Sequence, residues 1–352
     1  MLSLFTEGRA KFYASPQQQA SAKTPVFYNP VMKLNRDIAV YVAGRLKPKQ
    51  ICLGMEASGV RAIRFALEAS LSGITANDAS PVAVEAMKKN IELNNAEDAI
   101  SVQNKDIKKL LSEGEAYDYI DIDPFGTPVY YAEPAIQALS ENGVLAVTAT
   151  DTSCLCGRFV KACIKKYSSR PLDNEFCKET GLRILIWKMQ ELGSKHGRAL
   201  FPVFGHSSNH YIRAYMQACN NKGAVEQMKA QQGFILYCHK CLGRRVSVAP
   251  EGHCCGADMD YAGLLWLGSI WDESLVDGFT LIRHIAEESA INVPWHFDTH
   301  KIAKMLAVPA VRHDVLIDSL HAKGFKASRT HFKPEGVKTD AMISDFVPIF
   351  RQ

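Results

Sequence analysis

The 352-residue sequence predicts an α/β fold: a mostly parallel sheet with helices on both faces, followed by a smaller α+β region. Three observations carry that prediction. Between residues 50 and 150, short apolar runs alternate with amphipathic stretches of helical length, the pattern of strand–helix–strand crossover units. Hydrophobic residues make up 47% and charged residues 22%, so the chain can bury a large core and is neither mainly disordered nor dependent on disulfides. Four of the ten cysteines cluster between residues 238 and 255, which marks a separate small element. No apolar run approaches the ~20 residues that a bilayer requires, so a membrane partner is not expected.

Taken in order, residues 1–49 read as irregular and polar at first, then dense from 24 to 37, ahead of a helix through Val40 and Val42. Residues 50–55 read as a strand, 60–70 as a helix, 73–77 as a strand, and 82–94 as a helix entered through Ser80-Pro81. Strands follow at 100–103 and 117–121, the second running into a Pro/Gly-rich turn; then come a helix at 131–140 and a strand at 143–148. A helix at 181–192 precedes strands 199–205 and 211–217, which fit a hairpin at the end of the sheet, and 219–223 reads as a linker. The expected domains are therefore 1–220 and 221–352. In the second, 234–258 holds the cysteine cluster. Helices 299–306 and 311–323, the turn through Val308-Pro309 between them, Gly324 and a strand at 325–328 suggest a winged helix-turn-helix over 296–340.

The net charge of +4 is unevenly spread. Residues 1–50 contain Arg9, Lys11, Lys23, Lys33, Arg36, Arg45, Lys47 and Lys49 against Glu7 and Asp37, a segment of +6. Residues 298–340 carry eight Lys or Arg and five acids, and residues 323–333 interleave bases with aromatics. Both features point to a polyanion such as nucleic acid, with Arg329 and Lys338 expected at phosphates. His300 and His313 read as packing or polar-face residues. Glu7, Arg9 and Lys11 interrupt any apolar leader, and six further cysteines are scattered through apolar or helical stretches, so reduced thiols and a cytoplasmic location are expected. No obligate protein partner is evident.

Chemistry concentrates at the ends of the early strands. The first ends in Leu53-Gly-Met-Glu-Ala-Ser-Gly-Val-Arg61, a small-residue turn without the GxGxxG dinucleotide pattern. Asp78 follows the second strand, placed to accept both ribose hydroxyls of a nucleoside. Asp106 follows the third, placed to accept from an adenine amino group. Each acid alone reads more readily as a helix cap. Together they match an adenosine-containing cofactor, S-adenosylmethionine among them. The fourth strand ends in Asp121-Ile-Asp123-Pro-Phe-Gly-Thr-Pro128. An Asp-Pro-aromatic turn suits methyl transfer to an exocyclic amine, whose delocalised lone pair makes it a poor nucleophile. Asp123 and a backbone carbonyl would accept its N–H bonds, and Phe125 would stack on an extruded base.

Cys238-x-x-Cys241 with Cys254 and Cys255 has the spacing of a structural zinc site. Adjacent cysteines depart from a regular ribbon, so His253 with Cys255 stands as the alternative second half.

The chain resembles the archaeal and eukaryotic tRNA (guanine-26-N2)-dimethyltransferases. The resemblance rests on VFYNPVMKLNRDIAV (26–40), SGVRAIRFALE (58–68), DIDPFGTP (121–128), TATDTSCLCG (148–157), LLWLG (264–268) and SRTHFKPEGVKTDA (328–341), in order along nearly the whole chain. It implies a Rossmann-like class I S-adenosylmethionine-dependent methyltransferase domain, a C-terminal domain with zinc-ribbon-like and winged-helix-like parts, and a tRNA substrate methylated once or twice at N2 of guanosine 26. It implies cofactor contacts from Arg36, Arg61, Asp78, Asp106 and Ile107, catalysis by Asp123, base stacking by Phe125, and a second aromatic, Phe27, at the guanine. Met55-Glu56 departs from the acidic-plus-small turn frequent in that family. Competing readings are an amino methyltransferase acting on other RNA or DNA, and a non-catalytic RNA-binding protein.

Overall fold

The computed structural model describes residues 2–16 and 24–351; Lys23 of the basic segment lies outside the described residues. Two compact units interleave along the chain. One comprises Met1–Ala149, Leu192–Phe201 and Tyr215–Ala224; the other Thr150–Glu191, Pro202–Ala214 and Val225–Gln352.

The chain opens with β1 (Ser3–Glu7) and β2 (Ala10–Ala14), an antiparallel hairpin where the sequence reads as irregular. Its inner face is Ala10, Phe12 and Ala14, all fully buried. Side-chain amides stand in for a third strand. Asn90 accepts from Tyr13 N at 2.7 Å and donates to Tyr13 O at 3.0 Å, while Asn94 does the same with Lys11 at 3.0 and 2.6 Å. A 3-10 turn at Pro30–Met32 leads into α1 (Lys33–Leu46).

Alternation then follows as expected: β3 (Ile51–Leu53), α2 (Val60–Ala69), β4 (Ile74–Asn77), α3 (Pro81–Leu93), β5 (Ile100–Gln103), α4 (Ile107–Leu111), β6 (Tyr117–Ile122), α5 (Val129–Gln137) and β7 (Leu139–Ala149). Ser80 caps α3, accepting from Ala83 N at 3.3 Å, and Pro81 opens its first turn. After α6 (Thr152–Leu155), α7 (Val160–Tyr167) and α8 (Cys177–Ser194) come β8 (Ala199–Ser208) and β9 (Tyr211–Cys219).

These strands form a seven-stranded sheet in the order β5-β4-β3-β6-β7-β9-β8. The pairs β5–β4, β4–β3, β3–β6 and β6–β7 are parallel, the Rossmann-like arrangement expected. Ile51, Cys52, Leu53, Tyr119, Ile120 and Ile122 are wholly buried, as central parallel strands require. Strand order reverses between β3 and β6. In an open α/β sheet, the crevice beyond the carboxyl ends of the strands at that switch point is where ligands bind.

The chain continues through α9 (Ala224–Lys229), β10 (Gln232–Tyr237), β11 (Arg244–Ser247), β12 (His253–Cys254), β13 (Ala257–Asp258) and β14 (Asp260–Trp266). It ends with α10 (Glu273–Val276), α11 (Ile285–Ser289), β15 (Phe297–Asp298), α12 (Thr299–Leu306), α13 (His313–Ala322), β16 (Ala327–Arg329), β17 (Gly336–Thr339) and α14 (Ile343–Phe350). Strands order as β11-β10-β14 and β15-β17-β16, with β12–β13 a separate hairpin. The second unit thus contains two successive helices, α12 and α13, followed by an antiparallel pair, β16–β17.

One expectation fails here. Lys338 is fully buried and is not placed at a phosphate: its Nζ lies 2.6 Å from Glu179 and 3.7 Å from Glu288. Glu179 also meets Arg183 at 2.9 Å, and Glu288 meets His331 at 2.7 Å. Lys333 lies 2.8 Å from Asp298, whereas Arg329 is exposed. Sequence charge cannot tell a solvated lysine from one that neutralises buried carboxylates.

Candidate active site

The turns after β3 and β6 meet at the switch point, and Arg61 ties them together. Its guanidinium donates to Asp121 Oδ1 and Asp123 Oδ2, and to Asn35 Oδ1 at 3.0 Å. Asp121 also accepts from the Tyr119 hydroxyl at 3.2 Å, and Asn35 reaches Thr148 at 3.4 Å. The two acids of Asp121-Ile-Asp123 are therefore held by one buried cation on α2. Asp121 is buried, while the Asp123 side chain keeps 19% exposure.

Gly54 begins the first turn for a steric reason. A Cβ there would lie 3.0 Å from the Ile107 side chain and 3.2 Å from the Asp121 carbonyl. Two positions on, Glu56 is buried and accepts from Ala62 N at 3.0 Å. Burial pushes its carboxyl up to about 7; Arg61 and the Ala62 N–H oppose that, and Asp121 and Asp123 add to it.

Asp78 sits at the end of β4 with both oxygens engaged by backbone. Oδ2 accepts from Ala57 N and Oδ1 from Ser80 N, each at 2.9 Å. Each oxygen retains a further lone pair. Asp106 caps α4, accepting from Lys108 N at 2.8 Å, and is exposed, whereas Ile107 is buried. Asn77, absent from the sequence expectations, fastens these strand ends. Its amide donates to Gly54 O at 3.0 Å and Lys105 O at 3.1 Å and accepts from Lys105 N at 3.1 Å. Its only signal in the sequence is its place beside Asp78.

Arg36 is turned toward the N-terminal hairpin. It forms a bidentate pair with Glu7 at 2.7 and 2.5 Å and donates to Asn29 O at 2.9 Å. Glu7 also takes Arg64 at 2.7 Å and the Tyr28 hydroxyl at 3.0 Å. Burial would raise the Glu7 carboxyl, but Arg36 and Arg64 outweigh it and hold it down at about 2. Arg36 is thus buried and no part of a basic surface. Glu7 was not legible as a site-supporting residue, because its partners lie 21, 29 and 57 residues away.

The two aromatics are brought together as expected. Phe27 and Phe125 pack edge to face with centroids 4.8 Å apart, and Phe125 is 54% exposed. An exposed ring two residues beyond an arginine-held carboxylate presents a flat apolar face beside a hydrogen-bond acceptor.

In the second unit, Cys238 and Cys241 flank the β10–β11 turn, and Cys254 and Cys255 lie at the β12–β13 hairpin. Their four sulfurs lie within 4.8 Å of one another. Sγ–Sγ separations are 3.4 Å for Cys241–Cys254 and 3.6 Å for Cys254–Cys255. Tetrahedral zinc with bonds of about 2.3 Å spaces its sulfurs about 3.8 Å apart, so this donor set fits the ion. His253 is mostly exposed and pairs with Asp258 at 2.6 Å.

The model of a family described as N2,N2-dimethylguanosine tRNA methyltransferase matches residues 8–283 and 279–351. The tRNA (guanine(26)-N(2))-dimethyltransferase of Methanothermobacter thermautotrophicus is 36% identical, covering 96% of each chain. The tRNA (guanine(26)-N(2)/guanine(27)-N(2))-dimethyltransferase of Aquifex aeolicus is 34% identical, over 98% of this chain and 94% of that protein. Among solved structures, Trm1 of Pyrococcus horikoshii in complex with S-adenosyl-L-methionine superposes with a TM-score of 0.86 at 31% identity, covering 99% of both chains. With nearly its whole length matched and its strand ends carrying the acids and aromatics described above, the chain belongs to the N2,N2-dimethylguanosine tRNA methyltransferase family.

Proposed function

We propose that this protein methylates N2 of guanosine 26 in tRNA, once and then twice, in the cytoplasm. The observation that carries the reading is the Phe27–Phe125 pair beside the arginine-held Asp123 at the sheet's switch point. Bound S-adenosylmethionine supplies an electrophilic methyl group. Asp78, Asp106 and Ile107 are assigned to its adenosine, and Arg36 and Arg61 to its methionine end. The strand-end acids with spare lone pairs fit such a group. Phe125 and Phe27 hold the extruded guanine. Asp123 Oδ1, the oxygen that Arg61 does not engage, accepts an amine N–H, keeps electron density on nitrogen, and takes up the proton released as the N–C bond forms. Arg61 fixes that carboxylate in advance of the reaction.

The proposed division of labour gives residues 1–220 the chemistry and 221–352 the grip on tRNA, with the 150–191 segment folding in the second compact unit. Cys238, Cys241, Cys254 and Cys255 hold a structural zinc.

Mass spectrometry of nucleosides from tRNA incubated with protein and S-adenosylmethionine tests the reading. Both methylated guanosines are expected, and they disappear in a transcript changed only at position 26. Product persisting there and vanishing only with a change at position 27, or in no tRNA at all, overturns it. Asp123→Asn should keep cofactor affinity and lose about 100- to 1000-fold in rate, the usual effect of removing a preorganised charge acceptor.

A further inference from the structure

Within the second unit, a cavity of about 500 Å³ opens among the segment from Thr152 to Arg158, the start of α8, and the β8–β9 turn. Arg158, Lys178, Thr152, Ser153 and Asn209 line it, and among the described residues none of these side chains has a hydrogen-bond or ion-pair partner. Five partnerless polar groups converging on one hollow contrast with Lys338, Lys333, Arg244 and Arg183 of the same unit, each engaged with a carboxylate. Gly157 lets the 152–158 segment lie close to the facing chain: at φ +95°, a Cβ there would come within 2.5 Å of Asp173 N. Asp173 is the single carboxylate on the lining, against two cations. Beside the hollow, Phe159 is 58% exposed, and α7 continues the charge with Lys161 and Lys165, both exposed and unpaired among the described residues.

We propose that this hollow seats a backbone phosphate and its ribose from the RNA substrate. A guanidinium fork and an ammonium suit a phosphodiester. Hydroxyls and an amide suit its non-bridging oxygens and the ribose 2′-hydroxyl, and an exposed ring suits a neighbouring unpaired base. The volume accommodates a nucleotide-sized group. The inference rests on the tRNA-methylating reading above and departs from its division of labour by placing one RNA contact within 152–209, ahead of residues 221–352. It also moves that grip away from Lys338, which is buried.

The test uses the full-length protein with Arg158→Gln and Lys178→Gln combined. A charge-matched control combines Lys88→Gln and Lys89→Gln on the exposed face of α3. Dissociation constants for unmodified tRNA are measured across a salt series, with S-adenosylmethionine affinity by calorimetry. The hollow variant should bind tRNA at least about tenfold more weakly at physiological salt, with a salt slope reduced by up to about two. The control should stay within about twofold of wild type, and both should bind S-adenosylmethionine normally. An unchanged affinity and slope in the hollow variant, or an equal loss in the control, overturns the proposal. If the wild-type protein methylates tRNA and the hollow variant binds it normally, the hollow alone is refuted. If the wild type neither binds nor methylates tRNA, the functional reading itself fails.

Discussion

Glu56 and Asp123 both feel the charge of Arg61, yet their environments differ in kind. Asp123 is partly exposed and directly held by Arg61, whereas Glu56 is buried, accepts one hydrogen bond, from Ala62 N, and feels Arg61 only electrostatically. Its carboxyl is raised from 4.5 to about 7, chiefly by burial. The sign follows from linkage. Between pH 4.5 and 7 the unfolded chain has released this proton and the folded chain has not, so stability falls as pH rises through that window. Glu56→Gln keeps the acceptor for Ala62 N and removes the ionisation. The variant should match wild type near pH 4.5 and exceed it by about 3 kcal/mol at pH 8, as read by urea melts at both pH values. Equal wild-type and variant stabilities at pH 8 would place ionised Glu56 at no cost. At this scale the sequence was informative only where the motif was local. DIDPFGTP announced Asp123 and Phe125, while Asn35, Asn77 and Glu7 act through partners far along the chain and leave no local pattern.

Elements were legible where a regular period runs long enough. The strands β3 to β9 and the helices α2, α3, α5 and α8 lie within a few residues of their expected bounds, because buried parallel strands read as apolar runs and long helices as amphipathic stretches, whereas the shorter α4, α6 and α7 were not anticipated. The β1–β2 hairpin escaped because each strand has five residues and its edge is completed by the Asn90 and Asn94 side chains instead of another strand. The cysteine element was legible from spacing, and the four thiols read from the sequence are the ones that the structure brings together, with His253 the alternative left open. Between Cys254 and His253, the structure favours the thiol, since the histidine is paired with Asp258. The three side chains Leu236, Cys238 and Met259 form a small core beneath the cluster, too little to fold this element alone. Purified protein should contain about one zinc per chain. Cys254→Ser should lose most of it and increase proteolysis within 238–258, whereas His253→Ala should retain it. Elemental analysis of the two variants checks the assignment; zinc lost from His253→Ala and kept in Cys254→Ser would reverse it.

At the scale of the molecule, the basic C-terminal stretch carries a different meaning from the one its charge conveys. Lys338, His331, His296 and Lys301 supply cations or hydrogen bonds to Glu179, Glu288 and Glu175, acids buried within the same compact unit. Glu179 is held near the bottom of the carboxylate range: burial raises it, and Lys338, Arg183 and His296 outweigh that rise. Removing one partner of a buried pair leaves an uncompensated charge and costs about 3–5 kcal/mol. Lys338→Met should therefore lower stability by that order and leave the salt slope of tRNA binding unchanged, while Arg329→Ala, at an exposed position, should barely move stability. Truncation at residue 296 should not yield a folded protein that merely lacks RNA affinity. It would strip Glu175 and Glu179 of their lysine and histidine partners and collapse the second unit, which limited proteolysis would report as cleavage spreading into 150–191. A truncated chain that resists protease there would mean that these buried pairs do not hold the unit together, and that the C-terminal stretch is a detachable module after all.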